Sequence, residues 1–162
     1  MPTQHPWTIQ QLARHDAATA RLNLAFNKLT AAQWDQPIRT GWTAKQMLAH
    51  LAFWAETTQP VVTSMLRGGD PLPEDHWYGG DNLGLNPDDP WPDADTHNAR
   101  ETAWANQHPT AHVISRCRQA HHQMRDLIQS VTPDEAAGQI GDYLTDAIAH
   151  VEHHLADLEA LA

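Results

Sequence analysis

At 162 residues the chain suits one domain, long enough to bury most of its apolar surface. Its formal charge of −10, from ten Lys+Arg against twenty Asp+Glu, repels phosphate backbones and anionic lipid, so broad binding to nucleic acid or a membrane surface is disfavoured. Hydrophobic residues make up 41% without forming a membrane-length apolar run, and the opening MPTQHPWT lacks the basic-then-apolar order of a signal peptide.

A lone Cys117 offers no disulfide framework, and with the missing leader it points to a cytoplasmic protein. Twelve histidines and seven tryptophans are both unusual for this length. Imidazole is the commonest protein metal ligand, so the histidine positions carry the functional reading.

Residues 8–29 place Leu12, Ala18, Leu22, Phe26 and Leu29 at helical spacing, with His15 filling the gap, and this predicts a first helix. Pro37 and Gly41 break the pattern. Thr43 is then a candidate N-cap for a second helix carrying Met47, Leu48, Leu51, Trp54 and Ala55, extending toward Leu66. Pro60 falls inside that run and removes a backbone donor, which predicts a kink or an early end.

Residues 67–95 are crowded with Gly, Pro, Asp and Asn and follow neither period, as expected of a long irregular connection. Such a segment can serve as a lid, as a crossover or as both, and a linker between two domains is the competing reading. A third helix is expected over 110–130, with Val113, Cys117, Ala120, Met124, Leu127 and Ile128 on one side and an earlier start near His97 in reach. Thr132, Pro133 and Glu135 form a capping box. The final helix covers about 140–160, with the stripe Tyr143, Leu144, Ala147, Ile148, Val151, Leu155, Leu158 and Leu161. The sum is an all-α bundle.

On the wheel of the final helix, His150 and His154 lie within about 40° of each other on the flank of the apolar stripe. That i, i+4 pair can share one ion. His153 falls about 60° outside His150 and is expected in solvent. His50 occupies the equivalent flank of the second helix and could bring a third nitrogen across the bundle. The competing reading of each residue is a hydrogen-bonded core histidine. His15 and His121 also lie near their own apolar stripes, where they could substitute as ligands or simply pack.

The run GWTAKQMLAHLAFWAE, with a Trp before the helix and His50 two turns into it, resembles the helix-two signature of the DinB/YfiT superfamily. The run AHVEHHLADLEAL is similar to that family's final helix, where two histidines spaced by four complete a three-histidine site. A weaker likeness through NARETAWANQH and the run ending SVTPDEA extends over most of the chain. The resemblance implies a four-helix bundle in up-down-down-up order, with 67–95 as the crossover between two parallel helices, and one divalent metal ion on His50, His150 and His154.

Relatives of this kind include thiol-dependent enzymes using mycothiol or bacillithiol, among them a maleylpyruvate isomerase and glutathione-like S-transferases. A more distant branch protects producing bacteria from DNA-alkylating natural products and often lacks the triad. The leading expectation is thus a metal-dependent enzyme that transfers a low-molecular-weight thiol to a small reactive electrophile, or opens one hydrolytically, in detoxification. The alternative is a non-enzymatic self-resistance protein that sequesters a small molecule, with the metal structural or absent. A third reading is a purely structural helical dimerisation module, and bundles of this size often form homodimers.

Three neutral imidazoles leave a divalent ion at least one open position, for water or a substrate thiol. Zinc and nickel both accept this nitrogen set. Outer carboxylates often receive the other ring N–H of a liganding histidine, and Asp146 and Asp157 are within reach along the helix, although flanking acids are usually just solvated. Trp54, His76, Trp77, Tyr78 and Trp91 are candidates to line a substrate pocket, with core packing an equal explanation for Trp54. Ordinary imidazole acidity predicts that occupancy falls below about pH 6.

Overall fold

The computed structural model describes residues 5–68 and 94–162. Helix α1 (Pro6–Lys28) opens on a proline whose missing N–H is an orphan at that position anyway. It buries Leu12, His15, Ala18, Leu22, Ala25 and Phe26, the stripe expected from the spacing. After a short 3₁₀ turn at Gln33–Asp35, a bridge between Pro37 and Thr43 closes the approach to α2, with Gly41 supplying the left-handed turn at φ 88°.

Helix α2 (Ala44–Leu66) starts in a reciprocal capping box. The Thr43 hydroxyl accepts from the Gln46 amide at 3.2 Å, and the Gln46 side-chain oxygen accepts from the Thr43 amide at 2.9 Å. The early end expected at Pro60 does not occur, and the helix runs through it to Leu66. Val61 and Val62 are buried just beyond the proline, and burying two such side chains offsets one lost backbone hydrogen bond.

Helix α3 (Ala94–Gln107) begins one residue before the expected close of the irregular connection. The early start considered for the third helix is in fact this separate element. It is broken from α4 (Thr110–Ser130) at His108 and Pro109, because a residue before proline is driven out of the α region. The His108 ring bonds the Trp104 carbonyl at 2.7 Å and so satisfies one of the last acceptors of α3. The capping box at Thr132 and Glu135 starts the four-residue α5 (Pro133–Ala136), and α6 (Gln139–Glu159) follows.

The architecture is all-α, with no β-strand among the described residues. The central helix is α2, which packs on α3, α4 and α6, while α1 packs on α4 and α6. Buried aliphatic side chains from all four long helices form one core, including Leu22, Leu48, Leu51, Met124, Ile128, Leu144, Ile148 and Leu155. Arg14–Glu152 and Arg21–Glu159 tie α1 to α6, each at 2.7 Å, and Arg116 joins Glu56 of α2 to Glu101 of α3. No helix among the described residues is long and apolar enough to cross a membrane. Most of the connection expected at 67–95 lies outside the described residues, and so do His76, Trp77, Tyr78 and Trp91.

Candidate metal centre

The apolar stripe of α6 turns Ile148, Val151 and Leu155 into the core and holds His150 and His154 on its flank, one turn apart. Their rings meet edge to face at 4.6 Å between centroids. From α2, fixed in register by its capping box, His50 enters between them with centroids 5.0 Å from each. Each of the three offers a ligand nitrogen, and these atoms lie within 4.8 Å of one another. His50 is buried and the other two are half-buried. His153 is exposed and outside the cluster, as its wheel position requires.

The hydrogen bonds around His50 select a tautomer. Asn98 Oδ1 lies 2.9 Å from His50 Nδ1, while the Trp54 indole N–H lies 3.0 Å from that same nitrogen and 3.4 Å from Asn98 Oδ1. If Nδ1 accepted from Trp54, it would face the amide oxygen lone pair against lone pair. If Nδ1 carries the proton, it donates to Asn98 Oδ1, and the same oxygen takes the indole N–H. The second arrangement satisfies both donors and leaves His50 Nε2 bare, 3.0 Å from His150 Nε2.

Two further features fit a cation here. His154 Nδ1 is buried with no hydrogen-bond partner among the described residues. Burial, reinforced by mutual repulsion among the rings, pushes His50 down to about 3 and His150 to about 4, and lowers His154 as well. All three are therefore neutral ligands at physiological pH. Burial thus shifts proton competition to lower pH than for an unperturbed imidazole.

Of the outer carboxylates considered, Asp146 is exposed. Asp157 is buried, and its two oxygens receive Arg39 Nε at 2.8 Å and a terminal nitrogen at 3.3 Å. Its charge still favours the protonated form of His154, against the larger effect of burial. The outer partner that touches a ligand ring is Asn98 on α3, which the sequence reading did not single out. The available signal was its place at the head of the NARETAWANQH run.

Trp54 packs against the rings of His50 and His150, with centroids 5.9 and 6.1 Å away. Trp42 lies tilted against the His50 ring, with centroids 4.7 Å apart, and was likewise missed as a wall of the site. Trp42 and Asn98 also line a cleft of about 510 Å³ between the start of α2 and α3, together with Asp95, Thr102 and Asn106. This cleft therefore shares Trp42 and Asn98 with the surroundings of His50.

No curated protein and no solved structure matches the chain. A family model does: that of the mycothiol maleylpyruvate isomerase N-terminal domain, over residues 15–160. This stretch contains His50, Asn98, His150 and His154, and the chain belongs to that family, with its DinB/YfiT-like helical fold.

Proposed function

We propose that this chain is a metal-dependent enzyme that joins a low-molecular-weight thiol to a small electrophile. The observation that carries the reading is the convergence of three neutral imidazoles, with His50 Nε2 bare, beside an open cleft. His50, His150 and His154 would hold one divalent ion, zinc or nickel by its nitrogen set. Such an ion supplies Lewis acidity, lowering the pKa of a nearby thiol so that thiolate is available near neutral pH.

The remaining work falls to this chain's own side chains. Asn98 holds the His50 ring in the competent tautomer, and Trp42 and Trp54 pack against that ring and keep bulk water off the ligands. Thr102 and Asn106 present neutral donors and acceptors to a polar thiol compound lying in the cleft. The thiol must come from outside: Cys117 is fully buried, its pKa pushed up to about 12 by desolvation, and it lines a different cavity.

The test is elemental analysis of protein purified without a histidine tag or chelating resin, followed by an assay with low-molecular-weight thiols and an activated alkene. Stoichiometric metal and thiol-dependent turnover that a chelator abolishes are expected. A metal-free protein, or turnover indifferent to chelation, overturns the proposal.

A further inference from the structure

The approach to α2 meets the surroundings of the histidine cluster at two points. In the turn over residues 38–42, the Ile38 amide donates to the Trp42 carbonyl at 2.7 Å, and the Gly41 amide donates to the Ile38 carbonyl at 2.9 Å. Ile38 is buried and roots the turn in the core. Trp42, at the end of the turn, lies against the His50 ring with centroids 4.7 Å apart. Arg39, near its tip, reaches across to α6 and pairs with Asp157, three residues past His154. One short turn therefore touches a ligand ring of α2 and is tied to the helix that carries the other two.

The two ends of that ion pair differ sharply. The Asp157 side chain is 6% exposed, whereas that of Arg39 is 71% exposed. A carboxylate so buried is costly unless it is paired, and among the described residues its hydrogen bonds come from Arg39 alone. Nε at 2.8 Å and a terminal nitrogen at 3.3 Å make a two-point contact, which fixes direction as well as distance. The demand of Asp157 thus keeps the pair in place although the guanidinium lies largely in water. The pairs that tie α1 to α6 lack this asymmetry, because Glu152 and Glu159 are 36% and 37% exposed.

The pair also lies within electrostatic reach of the ligands. Burial has the largest effect on His154, with Asp157 opposing it and Arg39 reinforcing it. Trp42 in turn lines the cleft that it shares with Asn98. A turn released from α6 would carry the Trp42 backbone with it through the bond to Ile38, and with it the indole that packs on His50.

We propose that Arg39 is a positioning residue: its pair with Asp157 latches the 38–42 turn to α6 and so holds Trp42 on His50. The consequence for metal retention rests on the metal-dependent function proposed for this centre, whereas the placement of Trp42 does not.

The experiment labels the full chain with fluorotryptophan, assigns Trp42 through Trp42→Phe, and follows its fluorine NMR resonance together with the rate at which a chelator removes the ion. In Arg39→Ala the Trp42 resonance shifts or broadens and the ion leaves about threefold faster. Arg39→Lys keeps the charge but not the two-point contact; it gives a smaller change in the same direction, and serves if the alanine variant does not fold. Arg21→Ala, which breaks the Arg21–Glu159 pair on the same helix, changes neither readout. In a Trp42→Ala background Arg39→Ala no longer speeds release, because the two act through one contact. A Trp42 resonance unmoved in the folded Arg39 variants, the same effect from Arg21→Ala, or additive effects of Arg39→Ala and Trp42→Ala on release overturns the proposal. Wild-type protein that holds no metal overturns the proposed function instead, and the Trp42 resonance alone then decides the latch.

Discussion

Asn98 Oδ1 sits 2.9 Å from His50 Nδ1, and this contact between α3 and α2 places the ring proton on Nδ1, so that the nitrogen facing the histidine cluster is bare. Asn98→Ala should let the ring accept from Trp54 instead, placing the proton on Nε2. Metal affinity should then fall about 10- to 100-fold, as measured by competition with a chromogenic chelator. Asn98→Asp, which keeps the acceptor, should retain affinity. An alanine variant that binds like the wild type would show the tautomer is fixed by something else.

Replacing His50, His150 or His154 by Ala one at a time should abolish stoichiometric metal, whereas His153→Ala should keep it. The contrast tests the register of α6, since His153 and His154 are neighbours whose rings lie 5.1 Å apart. Emptying of the site by His153→Ala alone would place the wrong ring in the core.

The parts of this site that could be read in the sequence are those that sit on one helix or repeat a known spacing. His150 and His154 follow from the helical wheel, and His50 from its flank position and the motif around it. Asn98 could not be found this way: its role depends on how α3 docks on α2, a contact 48 residues apart along the chain. The boundary between α3 and α4 was likewise blurred, because Trp104 and Val113 both look like helix-interior residues. The break at His108 and Pro109 is a local backbone effect that an apolar period does not register. Pro60 misled in the opposite direction, since propensity was overridden by the burial of Val61 and Val62.

At Gly141 a different constraint operates. A Cβ there would collide with the carbonyl of Ala136, where the first turn of α6 folds back on α5. Gly141→Ala must push the two elements apart and should destabilise the fold by about 1–3 kcal/mol, despite the better helix propensity of alanine. Urea denaturation measures this directly, and a neutral or stabilising effect would mean that α5 moves freely. Metal content should be retained, because the ligands lie more than two turns further along α6.

Acid stability follows from the same burial that prepares the ligands. In the folded chain His50 and His121 are pushed down to about 3 and His150 to about 4, in each case chiefly by desolvation. In the unfolded chain each titrates near about 6.5. Above that pH both states are neutral and the three groups leave stability unaffected. As the pH falls below it, the unfolded chain takes up protons that the folded chain refuses, so stability is lost down to the folded values. Each group then contributes a slope of about 1.4 kcal/mol per pH unit, or about 4 kcal/mol per unit for the three together. A domain stable by about 5–15 kcal/mol cannot sustain that slope for long. Chelator-treated protein should therefore unfold between about pH 6 and pH 4, before most carboxylates are protonated. His121→Leu should make the slope shallower, by up to about 1.4 kcal/mol per pH unit. Stability that stays flat from pH 6.5 to 5 would show that the rings find protons, or partners for them, inside the folded protein.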